Sequence, residues 1–193
     1  MRKLILAALL AGSTATPALA QEAAAPFTGL RVEGLVGYDT TDVEDEGSNG
    51  VVYGAGVGYD VQAGNVVFGA DAEISKSTID ECFSGVTITG DELCAEAGRE
   101  LTVGGRIGAV VSPSTLIYAR AGYTNARINL EYDNPNGTSL DTVARETLDG
   151  IRVGGGVEQA IGGNAFVRGE YRYSNYEQGY DRHQAVVGFG FRF

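Results

Sequence analysis

The stretch His183-Gln184-Ala185-Val186-Val187-Gly188-Phe189-Gly190-Phe191-Arg192-Phe193 decides how this chain is read. Ala185, Val187, Phe189, Phe191 and Phe193 fall on one face of a strand, and Gln184, Gly188, Gly190 and Arg192 on the other. An alternating strand that stops on an aromatic fits the closing strand of a transmembrane β-barrel, apolar side to lipid and polar side to a lumen. An edge strand of a soluble sandwich would alternate in the same way, so this segment alone leaves both open.

The opposite end narrows the choice. Arg2 and Lys3 precede an apolar run from Leu4 to Ala11, and small residues then lead to Ala18-Leu19-Ala20. This is the pattern of a secretory signal peptide over 1–20, with Ala18 and Ala20 at the cleavage site and Gln21 as the first mature residue. The run is too short to span a bilayer, and no later stretch approaches ~18 continuous apolar residues, which excludes a helical membrane protein. Residues 21–26 read as a short leader, and 27–193 as one domain of ordinary size.

Lys and Arg number 14 against 25 Asp and Glu, a net charge of −11 that deepens once Arg2 and Lys3 are removed. Such acidity speaks against nucleic acid, or an anionic lipid surface, being held by a basic patch. Cys82 and Cys94 are the only cysteines. In an exported chain an isolated pair reads as a disulfide, which would add about 3 kcal/mol in the chain-entropy model. Free thiols are the alternative. A metal site has the least support, because His183 is the only histidine.

Period-two alternation recurs along the mature chain and predicts strands at 28–39, 50–61, 66–76, 99–111, 115–125, 148–161, 165–175 and 183–193. Each suits the ~9–11 residues that a tilted strand needs to cross a bilayer. The connections 62–65, 112–114 and 162–164 are tight, whereas 40–49, 77–98, 126–147 and 176–182 are long. Long and short alternate strictly, as they do in outer-membrane barrels. The expected fold is therefore all-β: an eight-stranded antiparallel up-and-down transmembrane β-barrel.

The two faces of these strands differ in chemistry. Leu30, Val32, Val36 and Tyr38 share one outward face, and Leu101, Val103, Ile107 and Val111 another. Tyr38, Tyr53, Tyr123 and Tyr173 gather toward the long loops. Tyr59 and Phe68, with Phe191 and Phe193, gather toward the tight turns, so two aromatic girdles are expected. The inward faces carry Arg31, Arg106, Arg120, Arg152, Arg168, Arg172 and Arg192 together with Glu33, Asp60, Asp71, Glu73, Glu100, Glu158 and Glu170. The two sets are equal in number, so the lumen is close to neutral. A barrel of this size is only just wide enough for side chains to fill it, and ions confined there must pair. Two readings stand: a plug of Arg–carboxylate pairs, and a narrow polar pore whose charges select ions.

Val153-Gly154-Gly155-Gly156-Val157-Glu158, Arg168-Gly169-Glu170-Tyr171-Arg172-Tyr173 and the terminal Phe193 carry a family resemblance. Over 27–193 the chain resembles the small eight-stranded outer-membrane barrels of the OmpA transmembrane-domain and opacity-protein type, the "porin family" of Gram-negative bacteria. The resemblance implies the cell outer membrane, with outer-membrane lipid and lipopolysaccharide as surroundings. It also implies that Phe189, Phe191 and Phe193 form an assembly signal for the barrel-assembly machinery. The sequence ends with the barrel, so no peptidoglycan-binding domain is expected after it. The expected role is structural, in envelope integrity, or surface-interacting, through an unknown partner of the external loops. A narrow diffusion channel is the alternative, and a lipid A-modifying hydrolase the third reading. No cofactor, metal or nucleic acid is implied.

Three further patterns carry residues capable of chemistry. His183 with Ser174 or Ser139 and Glu177 would make a His-Ser-acid set if the fold brought them together; the plainer reading is an interfacial histidine and no catalytic residue. Asp39, Asp42, Glu44, Asp45 and Glu46 make the first long loop acidic, a solvated run or an oxygen-rich site for Ca²⁺ or Mg²⁺. Gly54-Ala55-Gly56-Val57-Gly58 and Gly154-Gly155-Gly156 lack the following helix that a phosphate cradle needs, and read as room for strand crowding and bending.

Overall fold

Alternating residues with β-branched and aromatic side chains at every second place form strands here almost throughout. The computed structural model describes residues 25–43, 46–84, 92–134, 138–177 and 181–193. The signal peptide, its cleavage residues Ala18, Ala20 and Gln21, and the leader up to residue 24 lie outside these. The strands are β1 (Gly29–Val43), β2 (Glu46–Ala63), β3 (Val66–Ser77), β4 (Asp80–Ser84), β5 (Glu92–Ser112), β6 (Thr115–Asn134), β7 (Thr138–Gly162), β8 (Ala165–Tyr176) and β9 (Asp181–Arg192).

Chain neighbours pair antiparallel except β3 and β4; β1 pairs with β9, and β3 pairs directly with β5, closing the ring. The ring therefore closes with eight strands, and β4 lies outside it, paired with β5. Closure leaves the ring no free edge, which is what makes a strand tolerable in lipid. Phe193 completes the seam: its amide donates to Leu30 O at 2.7 Å, and Leu30 N donates back at 3.0 Å.

The three tight connections are two-residue turns, bounded by the pairs Ala63↔Val66, Ser112↔Thr115 and Gly162↔Ala165. Gly64 and Gly163 occupy the first and third at φ +62 and +54, a backbone state that a side chain would strain.

The long connections differ from the expectation. Much of 40–49, 77–98 and 126–147 is strand rather than loop. β1 and β2 stay paired up to Val43↔Glu46. β5, β6 and β7 pair with one another well past the ring, up to Glu92↔Asp133 and Asn134↔Thr138. The alternation simply continues there, as in Ile128-Asn129-Leu130-Glu131-Tyr132, so the ladder has no reason to stop. β8 meets β7 only from Gly150↔Tyr176, so the β4–β7 sheet runs on beyond the ring. On it, Cys82 and Cys94 are direct register partners.

The fold is apolar outside and polar inside. Val103, Ile107, Val153, Val187 and Phe189 are about half exposed on the outer wall, a surface that belongs in lipid. Tyr38, Tyr53 and Tyr123 lie outward toward the loops with half-buried Tyr173, while Tyr59, Phe68, Phe191 and Phe193 lie outward toward the turns. Small apolar clusters punctuate the interior: Leu35, Val52 and Val186; Ala126, Leu148 and Tyr176; and, near the turns, Phe27, Val67, Leu116 and Tyr118. Asp39 corrects the acidic-loop reading, because it points inward and is fully buried. The side chains of the rest of that run lie outside the described part.

Candidate functional site

The lumen is the chemically distinctive region, and it is built by alternation. Every second residue of each ring strand points inward, so β1 delivers Arg31 and Glu33, β8 Arg168, Glu170 and Arg172, and β9 Arg182, Gln184 and Arg192. Three levels of ion pairs result.

Nearest the turns, Asp60 and Glu158 share Arg106 and Arg192, and Asp60 also accepts from Arg31 at 3.1 Å. Arg106 donates to Asp60 at 2.7 Å and to Glu158 at 2.8 Å; Arg192 donates to Glu158 at 2.7 Å and to Asp60 at 3.0 Å. Phe27 closes this end. Its ring lies 5.5 Å from the Arg192 guanidinium, whose other aromatic neighbour is Phe166 at 5.4 Å. Its amide donates to Gln62 Oε1 at 3.2 Å.

At mid-height Glu33, Asp71, Glu73 and Glu170 meet Arg31, Arg120, Arg168 and Arg172. Arg172 forks onto Glu73 at 2.6 and 2.8 Å, and Arg120 reaches Glu73 at 3.2 Å and Glu170 at 3.1 Å. Arg168 donates to Glu33 at 2.9 Å, and the Tyr118 hydroxyl donates to Glu170 at 2.6 Å. Arg31 joins this level to the one below, at 3.0 Å from both Glu33 and Asp71.

Toward the loops, Glu100 accepts from Arg152 and from Arg182, the latter at 2.6 Å, and Arg182 also forks onto Asp39. Thr124 donates to Glu100 at 3.0 Å, and Arg152 donates to Ser174 Oγ at 2.8 Å. Arg152 lies 3.7 Å from Glu73, which links this level to the middle one. One connected ionic network therefore spans the lumen from Phe27 to Asp39.

The physical logic is one of mutual satisfaction. A desolvated ion is costly alone, and a partner repays that cost only when the remaining donors and lone pairs are also used. Guanidinium groups suit this because their donors form a fixed fork. Arg31 and Arg192 are register partners, as are Arg106 and Arg120, placements that would repel without the carboxylates each arginine holds. Glycines supply the room. A Cβ at Gly58 would sit 2.8 Å from Arg31 Nη2, and one at Gly188 would sit 3.1 Å from Arg168 Cγ.

Asp39 and Arg182 belong to this network, although the sequence reading ends the first strand at Asp39 while counting it with the acidic loop, and begins the last strand at 183. Their positions share the inward parity of Leu35 and Gln184, and that signal could have found them. Phe27 was read only as the first residue of the domain.

His183 lies on the outer wall, its Nδ1 2.7 Å from the Tyr171 hydroxyl and its ring 5.0 Å from that of Tyr173. Ser174 is buried in the lumen on Arg152, so the barrel wall separates it from His183. Glu177 is exposed beyond β8, and the Ser139 side chain lies outside the described part. The His183–Ser174 arrangement that a hydrolase would need is not formed.

Comparison with known proteins agrees with this architecture. Residues 4–193 match the family model for the outer membrane protein beta-barrel domain. A 22 kDa outer membrane protein of Rhizobium leguminosarum bv. viciae is 30% identical over 175 residues, covering 82% of this chain and 76% of that protein. Neisserial surface protein A superposes with a TM-score of 0.59 at 16% identity, over 86% of this chain and 98% of that one. Ail, the attachment invasion locus protein of Yersinia pestis, superposes with a TM-score of 0.55 at 11% identity, over 86% and 99%. The last two likenesses concern the fold alone.

Proposed function

The chain belongs to the outer membrane protein β-barrel family and resides in the outer membrane of a Gram-negative bacterium, and from this premise we propose a non-conducting barrel that acts through its outer surface. The observation that carries the proposal is the connected ionic network. Its guanidinium and carboxylate groups are buried to within a few per cent, and they occupy the lumen from the Phe27 end to the Asp39 end. A selectivity filter needs ions to enter and leave weakly held sites, whereas these charges are already engaged by one another.

What the barrel then offers is a rigid base for the β4–β7 sheet. In this reading the protein is not an enzyme and needs no cofactor. Its role is structural or surface-interacting, with the extended β6–β7 hairpin as the contacting part. Phe189, Phe191 and Phe193, outward on the final strand, act as the signal read by the assembly machinery.

Shortening that hairpin at the pair Ile128↔Glu146 with an Asn-Gly turn separates the two roles. The shortened barrel is expected to fold, as judged by heat-modifiable migration, and to restore detergent resistance to cells lacking the protein. It is expected to lose any cell- or surface-binding phenotype. If binding is undiminished by the shortened form, the hairpin is not the contacting part.

A further inference from the structure

Net charge is a poor guide to this surface, because the cations are sorted. Among the Lys and Arg side chains described, all but three are buried in the lumen with carboxylate partners. The three are Lys76, Arg99 and Arg127. They lie on the outward face, and among the described residues no carboxylate lies within ion-pair distance of them.

They also lie together. Lys76 and Arg99 are register partners across β3–β5, and Lys76 is the partner of Tyr53 across β2–β3. Between Ala97 and Glu100 the β5–β6 register shifts, so that Gly98 and Arg99 stand opposite Arg127 alone. A bulge of this kind re-aims side chains. Here it lets the β5 backbone approach Arg127, whose carbonyl would lie 2.6 Å from a Cβ on Gly98. Among the described residues, Asp149 on the adjoining β7 accepts from Tyr123 at 2.5 Å and from Asn125 at 2.6 Å.

The height of the patch defines its partner. Lys76 follows lipid-facing Ile74, Arg99 precedes Leu101, and Arg127 lies beyond girdle residue Tyr123. The cations thus form a row just above the apolar belt on the loop side, where the headgroups of the outer leaflet lie. We propose that Lys76, Arg99 and Arg127 form a binding site for the phosphorylated sugar headgroup of an outer-leaflet glycolipid, whose acyl chains lie against Ile74, Leu101 and Val103. This proposal runs against the expectation, drawn from net charge alone, that an acidic chain holds no anionic lipid through a basic patch. The inference rests on the outer-membrane location and is indifferent to whether the lumen conducts.

The test uses the folded full barrel in zwitterionic detergent, its folding first shown by heat-modifiable migration, with bound lipid read by native mass spectrometry. Bis-phosphorylated lipid A should be retained by the wild type. Retention should fall about tenfold or more in Lys76→Gln/Arg99→Gln/Arg127→Gln, taking each cation near a charged headgroup as a substantial attraction. The charge-keeping variant Lys76→Arg/Arg99→Lys/Arg127→Lys should retain it. Equal retention by the wild type and the triple Gln variant would overturn the site. So would equal retention of lipid A stripped of its phosphates, or of phosphatidylglycerol. A wild type that never becomes heat-modifiable would count against the barrel itself, which is a different failure.

Discussion

Glu73→Ala is expected to lower the stability of the folded barrel by about 3–5 kcal/mol, the cost of breaking a buried ion pair from one side. Glu73 is 5% exposed and accepts both Arg172 donors and one from Arg120, with Arg152 at 3.7 Å and Arg168 at 3.8 Å. Its removal leaves guanidinium groups crowded around a cavity with one fewer anion to separate them. Glu73→Gln keeps the volume and loses the charge, so it should recover only a minor part of the loss. Glu177→Ala, at an exposed site past β8, should stay within about 0.5 kcal/mol. Urea unfolding in lipid vesicles, followed by the heat-modifiable band, gives all three values. A Glu73→Ala midpoint equal to that of the wild type would mean that the network is not holding the barrel.

The second large effect is steric. Gly188→Val should prevent folding or cost about 3 kcal/mol or more, from overpacking combined with the displaced ion pair. A Cβ at this inward position meets Arg168 Cγ and Nε at 3.1 Å and Glu33 Oε2 at 3.3 Å. The valine branches would then drive Arg168 away from Glu33. Gly169→Val is the matched control. It lies next to Arg168 on the opposite face, and a Cβ there has nothing within 4 Å. In a strand facing lipid, valine at 169 should be neutral or mildly favourable. The same unfolding assay reads both, and similar midpoints for the two variants would contradict the packed lumen.

These two cases show which parts of the molecule can be read from its sequence. Period-two alternation sets the face of every residue, so the outward Val103 and the inward Arg106 follow from parity once a strand is placed. Gly64-Asn65 and Gly163-Asn164 mark reversals because few other residues accept those backbone states. Strand ends are another matter. The length of 126–147 itself suggests a loop, although Ile128, Leu130 and Tyr132 continue the pattern and the β6–β7 pairing runs on to Asn134↔Thr138. Asp39, at the end of the first predicted strand, groups by charge with the acidic residues after it and by parity with Leu35, and the fold follows the parity.

Partner choice was not legible at all. Glu33 and Arg168 are 135 residues apart, and Glu73 and Arg172 are 99 apart. Ring closure and strand stagger bring them to one level, and neither is written in local sequence. The clustering of the outward cations is hidden in the sequence for a related reason. A total of −11 averages over a lumen, a belt and a rim that are physically separate, and the bulge at Gly98-Arg99 appears only once β5 and β6 are paired.

The most direct test of the central claim, that the ionic network seals the barrel, is the conductance of refolded residues 21–193 in a planar lipid bilayer. The closed network predicts folded, heat-modifiable protein with no steady unitary currents. Reproducible unitary currents, with an ion selectivity that shifts in Arg120→Ala, would contradict it and make the same side chains the lining of a pore.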